Sequence, residues 1–240
     1  MSLPPSKLPK TALVLAAGLG TRMRPLTSDR PKALVEVGGR ALIDHVLDRL
    51  ADGGVETAVV NVHAFADRLE QHLASRRYPR IVISDERAEL LETGGGLRKA
   101  RALIGDDPIL IANIDSVWLE NGVSALDTLE AAWDPAAMDV CLLLARLDHC
   151  IGFEGAGDFF LGADGRLAFR GEAESAPYAY MGLHITKPQV VDGEGDGAFS
   201  LAPIWRRLAE AGRLHGAVMD GFWMHVGDPV ARDAAEARLR

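Results

Sequence analysis

The stretch "LAAGLGTRMRPLTSDRPK" (15–32) places glycines, a threonine, arginines and a lysine directly behind an apolar run. Gly18 and Gly20 can take positive φ and let a ligand approach the backbone closely. Successive N–H groups in such a turn form an anion-binding nest. Thr21 adds a hydroxyl, Arg22 and Arg24 add planar forks suited to phosphate oxygens, and Lys32 adds a mobile point charge. The chemistry that suits this set is phosphate binding. A dinucleotide fingerprint would need a third glycine where Met23 stands, and the G-K-[ST] of a P-loop occurs nowhere in the chain. Gly-x-Gly by itself is also an ordinary tight turn; the cationic residues that follow favour the phosphate reading.

Three more stretches could carry chemistry. "LETGGG" (91–96) is either a flexible loop capping a helix, with Thr93 as N-cap, or a close approach for a flat base. In "LIANIDSVW" (110–118), Asp115 lies just past a buried strand, where open α/β sheets place ligands. A carboxylate there can hold Mg²⁺, although an Asx turn or helix cap would use the same residue. In "GFWMHVGDP" (221–229), His225 and Asp228 bracket Gly227 in a loop expected to be exposed at a strand-to-helix junction. H-E-x-x-H, G-x-S-x-G and aromatic–basic interleaving are all missing from the sequence.

The elements that must position these residues follow from periodicity. "TALVLAAG" (11–18), "TAVVNVH" (57–63), "IVISDE" (81–86), "PILIAN" (108–113) and "MDVCLLLARL" (138–147) predict buried strands. Between them, Leu42, Ile43, Val46, Leu47 and Leu50 share one helical face. Phe65, Leu69 and Leu73 mark a second helix, "ETGGGLRKARALI" a third, and Val123, Leu126 and Leu129 a fourth. This alternation predicts a mostly parallel sheet with helices on both faces. After about residue 148 the pattern changes to a hairpin in "DFFLGADGRLAFR", a strand in "YAYMGLHIT", a helix in "LAPIWRRLAEAG" and a last strand in "LHGAVMD". "DPVARDAAEARLR" closes as a helix with Pro229 in its first turn. The expected organisation is a disordered lead-in over 1–10 and one domain over 11–240, with a change of texture between 11–147 and 148–240.

Composition sets the outer bounds. The 240 residues are 48% hydrophobic and 25% charged, as in an ordinary globular domain. The net charge of −8 argues against a broad nucleic-acid surface or a polybasic membrane contact. No run is long enough to span a bilayer, and "MSLPPSKLPK" has no apolar core of a signal peptide. Cys141 and Cys150 form no C-x-x-C pair, and Cys141 reads as buried packing. The expectation is a cytoplasmic protein, monomeric or homodimeric.

Taken together, "LAAGLGTRMRPLTSDRPKALVEVGGRALIDHVLDRL", "VNVHAFADRL", "ETGGG", "NIDSVW", "YAYMGLHI" and "WMHVGDP" resemble the sugar-1-phosphate nucleotidyltransferases over nearly the whole chain. The short length, "ETGGG" and "GDFFL" look most like the branch of N-acetylmuramate-1-phosphate uridylyltransferases, which serve peptidoglycan recycling. Mannose-1-phosphate guanylyltransferases share the same signature and are the close alternative. The resemblance implies a Rossmann-like α/β fold of the GT-A type with an antiparallel C-terminal elaboration. It also implies a reaction in which a sugar 1-phosphate attacks the α-phosphorus of a nucleoside triphosphate, UTP favoured, and pyrophosphate leaves. Carried onto this chain, Gly18, Gly20, Thr21 and Arg22 meet the triphosphate, with Arg22 on the pyrophosphate, and Lys32 bridges the reacting phosphates. Ala16, His63, Glu92, Gly95 and Asn113 line the nucleoside pocket, and Asp115 holds Mg²⁺. The resemblance makes 11–147 the nucleotide-binding part and 148–240 the sugar-binding part, with Asp158, Glu172 and Gly182 in contact with the sugar.

Two departures matter. The family usually shows W-x-D-x-G-T, whose aspartate is the second metal ligand. Here His225 takes that place and Asp228 replaces the threonine. Imidazole is a poor Mg²⁺ ligand but suits softer ions, so His225 binds a metal such as Mn²⁺, donates to phosphate, or yields the carboxylate role to Asp228. Asn113-Ile114-Asp115 also replaces the common Asn-Gly-Asp. A non-catalytic nucleotide-sugar sensor is the alternative from another class; a glycosyltransferase is disfavoured by the missing D-x-D.

Overall fold

The computed structural model describes residues 7–240. Apolar residues that alternate along one buried strand, β1 (Thr11–Leu15), start the fold: Ala12 and Val14 face one side and Leu13 the other. Short strands β2 (Glu36–Val37) and β3 (Arg40–Ala41) lead into α1 (Leu42–Asp52), whose expected stripe is entirely buried. Then follow β4 (Thr57–Val62), α2 (Ala66–Leu73), β5 (Arg80–Asp85), α3 (Glu92–Ile104) and β6 (Ile109–Asn113). The chain continues through β7 (Ser116–Glu120), α4 (Ala125–Ala132), β8 (Val140–Arg146), β9 (Cys150–Ile151), β10 (Phe159–Leu161) and β11 (Leu167–Phe169). It ends with β12 (Tyr178–Thr186), α5 (Ala202–Glu210), β13 (Leu214–Val218), β14 (Gly221–His225) and α6 (Pro229–Leu239).

The main sheet runs β5-β4-β1-β6 in parallel, and β12 then pairs antiparallel with β6. β12 also joins β8 and the β10–β11 hairpin, and β13 adds to β8 in parallel. The parts expected on either side of residue 148 therefore share one sheet. α3 and α5 cover the face that carries Leu13, Val59 and Ile111; α1, α2 and α4 cover the face that carries Val14, Val60 and Ala112. This is the expected Rossmann-like arrangement, a mixed sheet clothed on both sides. A second sheet, β7-β14-β9, stands at one end of it.

Several local expectations need correction. Phe65 is 43% exposed and precedes α2 in a left-handed conformation (φ 53°), so Ala66 takes the buried position beside Leu69 and Leu73. Val123 is exposed because Ser124 caps α4: its hydroxyl accepts the Asp127 N–H, and the buried face starts at Ala125. β13 is not the last strand. "GFWMH" forms β14, and His225 is a half-buried strand terminus rather than part of an exposed loop. Of the lead-in expected over 1–10, the first six residues lie outside the described residues; Leu8 and Pro9 are buried, and the Lys7 and Leu8 N–H groups donate to Glu130.

Candidate active site

Strands β1, β4, β5 and β6 bring their C-terminal ends to one edge, and a cleft of about 490 Å³ opens there. β1 delivers the glycine loop. Its first turn is pinned from below: the Ala16 and Ala17 N–H groups both donate to Asn61 Oδ1, at 2.6 and 3.0 Å. Asn61 Nδ2 in turn donates to Glu86 Oε1 at 2.9 Å. Burial pushes the Glu86 carboxyl above its ordinary range, against the opposing pull of the Asn61 amide. His63 donates through Nδ1 to the Glu86 carbonyl at 2.7 Å.

The two loop glycines have different reasons. Gly20 is left-handed (φ 61°), and a Cβ there would meet Lys32 Cβ at 3.0 Å and Thr27 Cγ2 at 3.1 Å. The Thr27 hydroxyl donates to the Gly20 carbonyl at 2.8 Å and closes the turn. Gly18 is under no such constraint: a Cβ there would meet no protein atom within 4 Å. Its bare backbone faces the cleft, as a site for phosphate approach requires.

Lys32 crosses the cleft to Asp115, Nζ to Oδ2 at 2.8 Å, with side-chain exposures of only 10% and 22%. Burial alone would raise the Asp115 carboxyl; the His225 imidazole and the Lys32 ammonium outweigh it and hold the group well below the usual carboxylate range. Arg22 lines the cleft, exposed and in no ion pair with a described residue. The register Ser116↔His225 between β7 and β14 carries His225 to Asp115, and the Val226 N–H donates to the Asp115 carbonyl at 2.8 Å.

His225 donates through Nδ1 to the Gly152 carbonyl at 3.1 Å, because a carbonyl can only accept. Its Nε2 faces Asp115 Oδ2 at 3.5 Å. In the neutral ring those two atoms are both acceptors, an arrangement that a proton or a cation between them satisfies. A metal-bound histidine commonly donates its other ring nitrogen to a carbonyl in this way. Mg²⁺ typically takes one or two carboxylates and fills its shell with water and substrate phosphate. The pair Asp115–His225 therefore fits a divalent cation with few protein ligands. Among the described residues no three His, Cys, Asp or Glu side chains gather as a metal group. Asp228 caps α6 instead, its Oδ1 accepting the Ala231 N–H at 2.9 Å.

The cleft thus brings together Gly18, Gly20, Thr21, Arg22, Lys32, Glu92, Asn113 and Asp115. Glu92 sits there in a left-handed conformation (φ 58°), unusual for a residue with a side chain. Ala16 and His63 stand behind the cleft, in the Asn61–Glu86 network. Gly95 is inside the first turn of α3, where a Cβ would lie 2.3 Å from the Gly197 carbonyl oxygen. Gly94 packs on the Phe199 ring, and the Gly94 and Gly95 N–H groups donate to the Phe199 carbonyl. Gly94 and Gly95 thus serve close packing of α3 on the chain before α5, while Gly96 faces the Asn61–Glu86 pair. Thr93 is no N-cap; its hydroxyl accepts the Leu201 N–H. Asp158 and Gly182 do not line the cleft, although Gly182 packs against Asn113, which does; Glu172 is exposed. Asn61, Glu86 and Ser200 also line the cleft without having been singled out in the sequence. The signal for Asn61 was an amide inside an otherwise apolar strand; for Glu86, a carboxylate just past the C-terminal end of β5.

Residues 12–150 match the model of the MobA-like NTP transferase domain, more than half of the chain. The chain belongs to the MobA-like NTP transferase family. It is 59% identical to an N-acetylmuramate alpha-1-phosphate uridylyltransferase of Caulobacter vibrioides, with 98% of each chain covered. It is 33% identical to one of Neisseria meningitidis, covering 94% of this chain and 96% of the relative. Mannose-1-phosphate guanylyltransferases match at lower identity. In fold it is similar to an inositol-1-phosphate CTP transferase from T. maritima, with a TM-score of 0.77 at 16% identity, covering 98% and 97% of the two chains. The resemblance to sugar-1-phosphate nucleotidyltransferases holds, and this member of the family is a nucleotidyltransferase.

Proposed function

We propose that this nucleotidyltransferase joins UTP to N-acetylmuramate α-1-phosphate, forming the UDP-sugar and releasing pyrophosphate. The observation that carries it is the buried Lys32–Asp115 pair facing the bare backbone of Gly18, on a chain 59% identical to a relative named for that reaction. One oxygen of the sugar phosphate attacks the α-phosphorus in line, and the bond to the bridging oxygen of pyrophosphate breaks. The loop N–H groups bind the triphosphate. Arg22, exposed at the rim, takes the charge that builds on the departing pyrophosphate. Lys32 follows the reacting phosphoryl group, since an ammonium on a long stem can track a moving charge.

Asp115, with His225 beside it, would hold a divalent cation, Mg²⁺ or the softer Mn²⁺, which when bound neutralises the crowded phosphates. Catalysis is then mainly positioning and charge stabilisation. The reading also includes a cytoplasmic enzyme, monomeric or homodimeric, serving peptidoglycan recycling. Among the described residues no helix is long and apolar enough to cross a membrane.

The test is pyrophosphate release from UTP with Mg²⁺ or Mn²⁺, with and without N-acetylmuramate 1-phosphate, set against mannose 1-phosphate with GTP. Release that requires the muramate and UTP supports the reading. Preference for mannose 1-phosphate with GTP, or no release with any pair, overturns it.

A further inference from the structure

We propose that a pocket beside the phosphate cleft reads a carboxylate on the sugar substrate through Arg170 and Arg206. This deepens the reading above and rests on it: N-acetylmuramate differs from N-acetylglucosamine by a lactic acid ether, and so by one carboxylate.

The pocket has a volume of about 320 Å³, enough for a hexose, and is lined by Asp158, Phe169, Arg170, Tyr180, Trp205 and Arg206 among others. Of its lining, Ala202 lies two residues beyond Ser200, which lines the phosphate cleft. The register of β12 on β8 shifts between Tyr180 and His184, and Gly182 lies in that bulge. A Cβ on Gly182 would come within 2.6 Å of Ser116 Oγ and 3.0 Å of Asn113 Cβ, so the bulge presses on the residues that flank Asp115. Tyr180 lines the pocket and is close enough for the Asp115 charge, together with burial, to raise its hydroxyl pKa. In the proposed mode the sugar occupies this pocket with its phosphate end toward the cleft.

Most arginines of the described chain end against a carboxylate within 4.0 Å, as Arg49 does on Glu120 and Arg213 on Asp139. Arg170 and Arg206 do not. Arg170 is held through Nε on the Gly157 carbonyl at 2.9 Å and Nη1 on the Ala173 carbonyl at 3.0 Å. These bonds fix the guanidinium; Asp158, whose carboxyl feels the Arg170 charge, forms no ion pair with it within 4.0 Å. Arg206 lies over the Phe169 ring, 4.5 Å from its centroid, and is otherwise exposed. The one carboxylate in the lining, Asp158, is occupied at Oδ2 by the Tyr180 N–H at 3.0 Å. Two guanidinium groups against one carboxylate leave the pocket net positive.

Asp158 supplies an acceptor for the hydroxyls of a neutral hexose; two guanidiniums without a carboxylate within 4.0 Å add a preference for an anionic substituent. A planar fork is the side chain that matches a carboxylate in a two-bond geometry. The stacked Arg206 and the tethered Arg170 are both oriented before the ligand arrives, which lowers the ordering cost of binding.

The test compares N-acetylmuramate 1-phosphate with its lactyl carboxamide and with N-acetylglucosamine 1-phosphate, each with UTP, by kcat/KM for pyrophosphate release. The proteins are the wild type, Arg170→Gln, Arg206→Gln and the double variant. The wild type is expected to prefer the acid to the amide. That preference should fall by about tenfold in each single variant and by more in the double. Arg170→Lys should restore part of it. If Arg170→Gln lowers the melting temperature through its two loop carbonyls, Arg206→Gln at the exposed rim carries the comparison. An acid-to-amide ratio that stays at the wild-type value in Arg206→Gln and in folded Arg170→Gln overturns the inference while the muramate reading stands. A wild type that uses N-acetylglucosamine 1-phosphate as well as the muramate overturns the substrate reading and this inference together.

Discussion

Replacing Lys32 by Met keeps the length of the stem and removes only the ammonium. At the 2.8 Å separation from Asp115, Coulomb's law with an effective dielectric of about 20 gives a gross attraction of about 6 kcal/mol. Desolvation of two mostly buried groups offsets much of this. The single variant leaves a partly buried carboxylate with one cation fewer, at a cost of about 1–3 kcal/mol in stability. Adding Asp115→Asn removes the stranded charge, so the double variant should be more stable than Lys32→Met alone. Chemical denaturation measures both. Turnover responds differently: losing an oriented cation at the reacting phosphates costs about 10²–10³ in kcat. The double variant should be no more active than the worse single one. A Lys32→Met protein within a factor of ten of wild-type kcat, or a double variant less stable than Lys32→Met, would refute the assigned role of this pair.

Gly95→Ala forces a Cβ to 2.3 Å from the Gly197 carbonyl oxygen and should destabilise by about 1–3 kcal/mol, read from the urea midpoint; an unchanged midpoint contradicts the packing account of the glycine triplet. His225→Ala should raise the Mn²⁺ concentration needed for half-maximal rate by about tenfold or more, whereas Asp228→Ala should leave it unchanged and cost only the helix cap, about 0.5–2 kcal/mol. Asp139 is held down to about 2 by Arg213 and then Lys187, burial working the other way. A depressed carboxylate stabilises above its unfolded pKa and loses that contribution as pH falls through the folded value, so wild type should lose stability relative to Asp139→Asn between about pH 4 and 2. Because the side chain is partly solvated, the difference at pH 7 should be about 1–2 kcal/mol, and acid titration of the two midpoints checks it.

Much of this was legible from local pattern. Strands such as "LVL" and "LIA" are buried on both faces and announce themselves as continuous apolar runs. The α1 stripe is a single-helix property, and so is α6 with Pro229 in its first turn; Asp228, expected as a metal carboxylate, caps that helix instead. The glycine loop was readable for the same reason: its conformational demands lie within a few residues. Phe65 and Val123 misled because a single left-handed residue or a serine cap moves a helix start without altering the apolar spacing.

The amino-acid sequence by itself determined the order of the main-sheet strands and their helices, the phosphate-suited loop and the family of the chain, all encoded in contiguous residues. Only the tertiary structure decided which distant residues meet. The pairing of β7 with β14 joins Asp115 to His225 across more than a hundred residues, and nothing local specifies that register. The same holds for the triplet at 94–96, whose glycines answer to Phe199, Gly197 and the Asn61–Glu86 pair. It holds again for Arg170 and Arg206, whose lack of a carboxylate within 4.0 Å among the described residues can be seen only once the segments around them are placed. Periodicity and turn chemistry act over one element at a time; charge pairing and steric clearance act between elements, wherever the fold brings them.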